Sequence, residues 1–442
     1  MGPLIQSRWG RPGRRELLVL GIAVVLGVGV RLAYILATRG HALAGDEVEY
    51  DIEGRFLAAG RFLWTTTPYG IPHASTWKTP GYGAWVGSLY ALLGRSPDRV
   101  FAVQAIVLAP LGIAATWALG RVLFAPLVGV LAALVVAVYP NAWQFDVRLY
   151  SEALAIPLTT VTLALVLSAT VVTARRAAAV GVLLGLLVLI KPAAILLVGA
   201  VAVMWWAAGG ARTGTLRLVL TLVVAVLVVT PWVIRNVAVD PEHPVPLSVQ
   251  SAAAYGVFND DSAHDRTHPW AWRPLPARDR DLFRVPRSDG ELYAALNRRA
   301  RRYVAAHPWS VAKAFFYNGI TRVWDLRPPG DMLFEVPFEG RTRAVAAVGL
   351  AMYWPLLVLA LLGLALAWRQ GRRRLVLAVA ALALATSIVY TTDAGTRYRA
   401  PLEPLIVVLA MAAAVSARRE ARRRRSPRGR PRPSRPRAPR SA

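Results

Sequence analysis

Residues 343–368 read RAVAAVGLAMYWPLLVLALLGLALAW and contain a single charged side chain, that of Arg343. A helix of about 20 apolar residues is long enough to cross the hydrocarbon core of a bilayer. Residues 152–173, EALAIPLTTVTLALVLSATVVT, form a second run of this kind. In lipid the backbone must satisfy its own polar groups, and these runs lack the alternation of a barrel strand. They therefore predict membrane-spanning α-helices.

The rest of the chain repeats this pattern, since 55% of the 442 residues are hydrophobic and the mean hydropathy is +0.42. The predicted spans are 16–37, 100–123, 126–140, 152–173, 178–190, 192–208, 218–234, 343–368, 375–390 and 400–416. Residues 178–208 also admit one long span. Because Pro interrupts helical hydrogen bonds and Lys avoids the bilayer centre, Lys191-Pro192 favours two short spans. The predicted fold class is an all-α polytopic membrane protein with about ten helices.

Charge divides the connecting segments into two sets. One set is rich in arginine: Arg8, Arg11, Arg14, Arg15, Arg121, Arg175, Arg176, Arg212, Arg217, Arg372, Arg373, Arg374 and the tail. The positive-inside rule places this set in the cytoplasm. Of the 25 Asp and Glu residues, 21 fall in the other set and two more, Glu152 and Glu403, lie at the ends of spans next to it; all six His also fall in this set. We therefore predict a plasma-membrane protein with both termini cytoplasmic and two large outer loops, 38–99 and 235–342.

These predictions define three regions: a cytoplasmic N-terminus at 1–15, a transmembrane domain at 16–416 and an Arg/Pro-rich tail at 417–442. The formal net charge is +27, and the tail carries twelve Arg and one Glu. Arginines interleaved with Pro, Ser and Gly predict a disordered tail near anionic membrane lipids rather than a nucleic-acid partner. The chain has no Cys, which excludes disulfides, thiolate zinc sites and cysteine nucleophiles.

Two short runs in the predicted outer loops are informative: one predicts the start of a helix, and the other contains candidate catalytic carboxylates. The run Ser288-Asp289-Gly290-Glu291 has the spacing of a capping box and predicts a helix through Tyr303. The run Gly45-Asp46-Glu47-Val48-Glu49-Tyr50 follows the first span. A carboxylate there can act as a general base if it lies at the reacting hydroxyl. Position favours Asp46 and Glu47, whereas Glu49 and Glu53 fit a solvated helix face.

Several short motifs, in order along nearly the whole chain, resemble the GT-C fold glycosyltransferases that use lipid carriers. That group includes the protein O-mannosyltransferases and the aminoarabinose transferases of lipid A. The motifs are Asp46-Glu47, Tyr50, Gly60, Lys78-Thr79-Pro80-Gly81-Tyr82, Leu92-Leu93-Gly94, Gln104, Tyr139-Pro140, Ser151-Glu152-Ala153-Leu154, Lys191-Pro192, Thr230-Pro231-Trp232-Val233-Ile234-Arg235-Asn236 and Arg397-Tyr398-Arg399-Ala400-Pro401-Leu402-Glu403-Pro404.

The resemblance implies an enzyme that moves a sugar from a polyprenyl-phosphate donor to a cell-envelope acceptor, which is a glycan, a lipid or a protein. It implies inversion at the anomeric carbon, with the lipid phosphate as leaving group. The family's base lies in the first outer loop, which assigns that role to Asp46, with Glu47 as the alternative. The second acidic position of the family corresponds to Glu152, either supporting catalysis or pairing with a neighbouring Arg.

A departing phosphate needs cationic stabilisation. The resemblance assigns it to five basic residues on the predicted outer side: Lys78, Lys191, Arg235, Arg397 and Arg399. Thr79 stands where the aminoarabinose transferases have a Pro after the lysine. The alternative for each cation is an interfacial side chain that reaches lipid phosphates. No metal site is predicted; a divalent metal is possible for the family but not indicated by the sequence.

Two other classes remain open from the sequence. A transporter or lipid flippase would place charges at the membrane midplane and commonly shows repeated halves. Here the spans contain few charges, no repeat is evident, and polar residues gather at one face, which favours a one-sided active site. A non-catalytic scaffold with the same fold is the third alternative.

Overall fold

The computed structural model describes residues 11–66, 72–273, 282, 288–393 and 395–425. Its longer helices are α1 (Arg14–Ala37), α2 (Asp46–Ala58), α3 (Pro80–Leu93), α4 (Pro97–Leu123), α5 (Pro126–Val138), α6 (Glu152–Leu167), α7 (Ala174–Ile190), α8 (Leu197–Val239), α9 (Asp289–Ala306), α10 (310–322), α11 (Arg343–Arg369), α12 (Arg373–Val389) and α13 (Glu403–Arg425). The short strands β1 (Trp64–Thr66) and β2 (Pro72–Ala74) pair antiparallel.

Each predicted span overlaps one of these helices, but the predicted span 152–173 is too long, because α6 ends at Leu167. Spans 192–208 and 218–234 correspond to the two arms of α8, which is broken at Gly210 by a backbone φ of 69°. Five helical segments of the described chain are long and apolar enough to cross a bilayer by themselves: Arg14–Ala37, Pro97–Leu123, Pro192–Val239, Arg343–Arg369 and Thr396–Ala421. The prediction of an all-α polytopic membrane protein is confirmed.

The predicted interruption at Lys191-Pro192 is also present. Helix α7 ends at Ile190, Lys191 is extended with φ −151° and ψ 106°, and a 3-10 turn begins at Pro192. A proline disfavours the helical conformation of the residue before it, which explains the extended backbone at this position. The break leaves the Lys191 side chain at the end of two helices instead of in the middle of one.

Small residues let the helices approach closely, as in other membrane bundles. Helices α4 and α5 meet at Gly120 and Gly129, where a Cβ on Gly120 would lie 2.8 Å from the Cα of Gly129. One buried charge lies inside the first span: Arg31 is 2% exposed and pairs with Asp146 at 2.8 Å. Ionisable side chains within membrane spans are usually paired with a group of opposite charge, as Arg31 is here.

The two predicted outer loops contact each other. Helices α2 and α3 pack together, and the β1–β2 hairpin follows α2. Asp289, at the start of α9, accepts hydrogen bonds from the Thr76 backbone nitrogen at 2.7 Å and contacts His73 Nε2 at 3.0 Å. The predicted capping box is confirmed, because the Ser288 hydroxyl caps Glu291 and the Glu291 carboxylate caps Ser288. Two loops distant in sequence thus form one layer.

Helix α13 continues to Arg425, beyond the predicted end of the last span at 416. Residues 417–425 are Ala, Arg and Glu, which are strong helix formers, so the helix extends without apolar residues. The predicted start of the disordered tail at 417 therefore lies within a helix. The prediction for 426–442 falls outside the described residues.

Candidate active site

Helix α2 carries the acidic run and presents one side of it inward. It begins at Asp46, directly after Gly45, which adopts a positive φ of 56°. Residues three, four and seven positions apart share a helix face, so Asp46, Glu49, Tyr50 and Glu53 lie on the same side. That side faces Lys78, in the segment that leads into α3.

Lys78 is buried, with 4% exposure, among three side chains of this face. Its Nζ lies 2.7 Å from Glu49 Oε2, 3.5 Å from Asp46 Oδ1 and 3.8 Å from the centre of the Tyr50 ring. An ammonium over an aromatic face and beside two carboxylates is strongly stabilised in its charged form. Lys78 is therefore a fixed positive charge at the start of α3.

Arg397 joins this pair to the bundle. Its Nη2 lies 2.6 Å from Asp46 Oδ2 and its Nε lies 2.8 Å from Glu152 Oε1, and its guanidinium stacks 4.3 Å from the centre of the Tyr150 ring. Lys191 forms an ion pair with the same Glu152 oxygen. Three cations and three carboxylates from five separate segments of the chain thus form one network: Lys78, Lys191, Arg397, Asp46, Glu49 and Glu152.

The network sets the protonation of Asp46 and Lys78, both in the first predicted outer loop. Burial raises the pKa of Asp46, but Lys78 and Arg397 lower it more, and the net pKa lies below the usual range. Burial lowers the pKa of Lys78, but the carboxylates of Asp46 and Glu49 raise it above its usual value. At neutral pH Asp46 is therefore a carboxylate and Lys78 an ammonium. Asp46 retains 26% exposure of its side chain, so it is accessible from solvent.

One of the two acids predicted to be solvated is buried instead. Glu49 pairs with Lys78 but keeps 40% exposure of its side chain, whereas Glu53 is only 4% exposed. Burial raises the pKa of Glu53 to about 8. The prediction of a solvated face was therefore wrong for Glu53, because α3 packs against its side of α2. The spacing of Asp46, Glu49 and Glu53 places them on one helix face, and this spacing could have predicted that the three side chains point in the same direction.

Glu47, the alternative base, faces away from the network. It is fully buried and contacts His41 Nε2 at 2.7 Å, the Ala44 nitrogen at 3.1 Å and the Leu149 nitrogen at 3.3 Å. These contacts hold the segment before α2 against Leu149. Adjacent helix residues point about 100° apart, because a turn contains about 3.6 residues, and this separates Glu47 from Asp46.

Two of the five predicted phosphate ligands also lie apart from the network. Arg235 donates to the carbonyls of Ser75 and Leu63 and stacks 5.0 Å from the Trp232 ring centre, so it holds the base of the hairpin. Arg399 is fully buried and pairs with Asp325 at 2.9 Å and Glu403 at 2.8 Å.

An aromatic and an acidic neighbour, to which the sequence analysis gave no role, complete the site. Tyr398 lies beside both Arg397 and Lys191, at 5.5 Å and 4.8 Å from ring centre to charged group, and donates to Asp393. Burial raises the pKa of Asp393 to about 6. Within the described part of the chain, no three His, Cys, Asp or Glu residues are arranged to hold a metal ion.

No family model matches the sequence, and no curated protein matches it either. Solved structures do match. The archaeal oligosaccharyltransferase AglB from Archaeoglobus fulgidus, in complex with an inhibitory peptide and a dolichol-phosphate, is 17% identical with a TM-score of 0.54. The match covers 94% of this chain and 52% of AglB. The apo form of the A. fulgidus oligosaccharyltransferase is 16% identical with a TM-score of 0.55, over 96% and 52% of the two chains.

ArnT from Cupriavidus metallidurans, bound to undecaprenyl phosphate, also matches, with 16% identity, a TM-score of 0.42 and coverage of 92% of this chain and 78% of ArnT. The chain spans about half the length of the archaeal enzyme. At these identities the comparison with AglB shows the fold. The comparison therefore confirms the predicted resemblance to GT-C enzymes in fold.

Proposed function

We propose that this protein is a membrane glycosyltransferase that moves a sugar from a polyprenyl-phosphate donor to a cell-envelope acceptor at the non-cytoplasmic face. The observation that carries the proposal is the network in which Lys78, Lys191 and Arg397 surround Asp46 and Glu152. A GT-C fold shared with an oligosaccharyltransferase solved with dolichol-phosphate supports a lipid-phosphate donor.

The carboxylate of Asp46 acts as general base. It takes the proton of the acceptor hydroxyl while that oxygen bonds to the anomeric carbon of the sugar. The bond from this carbon to the phosphate oxygen breaks on the opposite face, so the configuration inverts and the lipid phosphate leaves with the electron pair. Lys78, Lys191 and Arg397 stabilise the charge that develops on the phosphate. Fixed cations aimed at developing charge are commonly a large contribution to catalysis.

The same cations explain how Asp46 becomes available. Before the donor binds, Lys78 and Arg397 pair with Asp46 and lower its pKa. An anionic phosphate placed against these cations competes for them and adds negative charge nearby, which raises the pKa of Asp46. Donor binding thus converts a paired carboxylate into a stronger base. Glu152 retains its contacts and positions Arg397 and Lys191.

The remaining predicted residues receive supporting roles. Glu47 and Arg235 position the first outer loop through their backbone contacts. Arg399 stabilises the segment before α13 through Asp325 and Glu403.

The location of the network favours this function over transport. Asp46 begins α2, Glu152 begins α6, Lys191 follows α7, and Arg397 precedes α13, so all lie at helix ends on the predicted outer side. A translocation path requires polar groups along the spans. A site at one face fits a transfer reaction that takes place at that face.

The test is the composition of the cell envelope in a deletion strain. Mass spectrometry of its glycans, lipids and proteins should show the loss of one sugar modification, and the intact polyprenyl-phosphate donor should accumulate. Complementation with the wild-type gene should restore the modification. An unchanged envelope, with the donor at wild-type levels, would contradict the proposal.

A further inference from the structure

A shallow cavity of about 390 Å³, wide open to solvent, lies at the predicted outer end of α1, between residues 38–41 and 337–342. Its wall includes three guanidinium side chains, from Arg39, Arg148 and Arg341. None of the six side chains of the Asp46 network lines it. It is therefore a separate cavity, and its size falls in the range of about 300–1,000 Å³ that is usual for ligand sites.

Arg148 is the unusual residue of this wall, because it is 2% exposed and its acceptors are all neutral. Its Nε donates to the Gly340 carbonyl at 2.8 Å, its Nη1 to the Val147 carbonyl at 2.8 Å and its Nη2 to the Tyr34 hydroxyl at 3.2 Å. Among the described residues no carboxylate forms an ion pair with it. Its guanidinium also lies 5.0 Å from the Tyr34 ring centre and 5.8 Å from that of Phe101, and these ring contacts offset part of the cost of burying the charge. A buried cation without a counter-anion is otherwise unfavourable, so this position favours an anionic ligand.

The other charges of the wall leave an excess of positive charge. Arg341 pairs with Glu339, and His41 contacts Glu47. Arg39 lies at the surface, with no acidic side chain of the described chain paired to it. Two guanidinium groups, those of Arg39 and Arg148, are thus without carboxylate partners at the edge and in the wall of one cavity.

We propose that this cavity is a second oxyanion site that binds a phosphate group through Arg148 and Arg39. Guanidinium groups bind phosphate oxygens through paired, charge-assisted hydrogen bonds. The cavity follows the outer end of a membrane-length helix, where phosphate is available from two sources: a bilayer lipid headgroup and a water-borne phosphate ester of an acceptor. The site does not depend on the transfer chemistry proposed above.

The test measures phosphate binding to the purified full-length chain in neutral detergent by isothermal titration calorimetry. Lys78→Ala serves as the background, since it weakens anion binding at the other site. Inorganic phosphate should bind this variant. Adding Arg39→Gln should weaken the binding about tenfold or more, as expected for a lost charge-assisted hydrogen bond. Arg302→Gln removes the same charge from an exposed position on α9 and should change nothing.

Two results would overturn the site: no phosphate binding to the Lys78→Ala protein, or equal effects of Arg39→Gln and Arg302→Gln. Arg148→Gln should abolish phosphate binding. Because Arg148 is buried, thermal unfolding of this variant is measured first. If the variant does not fold, the conclusion rests on Arg39→Gln. Two further measurements identify the source of the phosphate group. Calorimetric titration with glycerol phosphate tests a water-borne ester. Native mass spectrometry with phosphatidylglycerol, and with diacylglycerol as the phosphate-free control, tests a lipid headgroup. Arg39-dependent binding of glycerol phosphate supports a water-borne ester, and binding of phosphatidylglycerol alone supports a lipid headgroup.

Discussion

Replacing Asp46 by Asn should remove transfer while leaving the donor site intact. The change keeps the size of the side chain but makes it a very weak base. The surrounding cations do not lose their last partner, because Lys78 still pairs with Glu49 at 2.7 Å and Arg397 with Glu152 at 2.8 Å. We therefore expect Asp46→Asn to fold and to reach the membrane at wild-type levels.

The expected loss follows from the proposed role. General base catalysis contributes about 10²–10⁴-fold to enzymatic rates, so the turnover of Asp46→Asn should fall by a factor in that range. Donor affinity should stay the same or rise, because the carboxylate that competes with the donor phosphate for Lys78 and Arg397 is gone. A large effect on kcat with little effect on KM for the donor separates loss of the base from loss of the donor site.

The assay follows transfer from the donor in membranes of the deletion strain that carry each variant at matched protein levels. Glu47→Gln is the matched control, since Glu47 is adjacent but contacts His41 and the loop backbone. It should lower thermal stability more than it lowers the turnover of the folded fraction. Full activity of Asp46→Asn together with an inactive, folded Glu47→Gln would make Glu47 the base. Full activity of both would refute the assignment of the base to the first outer loop.

Three further predictions concern the donor site, the buried acid and the topology. Lys78→Ala should weaken donor binding by about 1.5–3 kcal/mol, the usual value for a hydrogen bond to a charged group; the exposed Lys313→Ala is the control, and equal affinities of the two variants would assign Lys78 to a purely structural role. Glu53 has a pKa of about 8 when folded, above its value of about 4.3 in an unfolded chain, so the stability it contributes is complete below pH 4 and is lost as the pH rises to about 8. Glu53→Gln should accordingly raise Tm relative to wild type at pH 9 and not at pH 5, and a Tm difference independent of pH would contradict the burial of an ionisable acid. Because the chain has no native Cys, an impermeant thiol reagent applied to intact cells should label Arg302→Cys and should label Arg369→Cys only after lysis; the reverse pattern would invert the topology.

The sequence by itself determined the helices of this protein. Hydrophobic length is a local property, since each span must satisfy its own backbone hydrogen bonds and match the bilayer thickness. The break at Lys191-Pro192 was equally local, because Pro192 acts on the residue before it. The capping box at Ser288 is another feature within four residues. Each of these was readable without knowing what the segment packs against.

Only the tertiary structure decided which charged residues meet. Asp46 and Arg397 lie at opposite ends of the chain, yet they are 2.6 Å apart, whereas Arg399, two residues further on, pairs with Asp325. Glu47 follows Asp46 directly but faces His41, and Glu53 is buried because α3 covers it. Side-chain direction along a helix separates neighbours by about 100°. Packing between helices distant in sequence decides whether a given side chain faces a cavity, a carboxylate or lipid. A local sequence pattern therefore does not predict it.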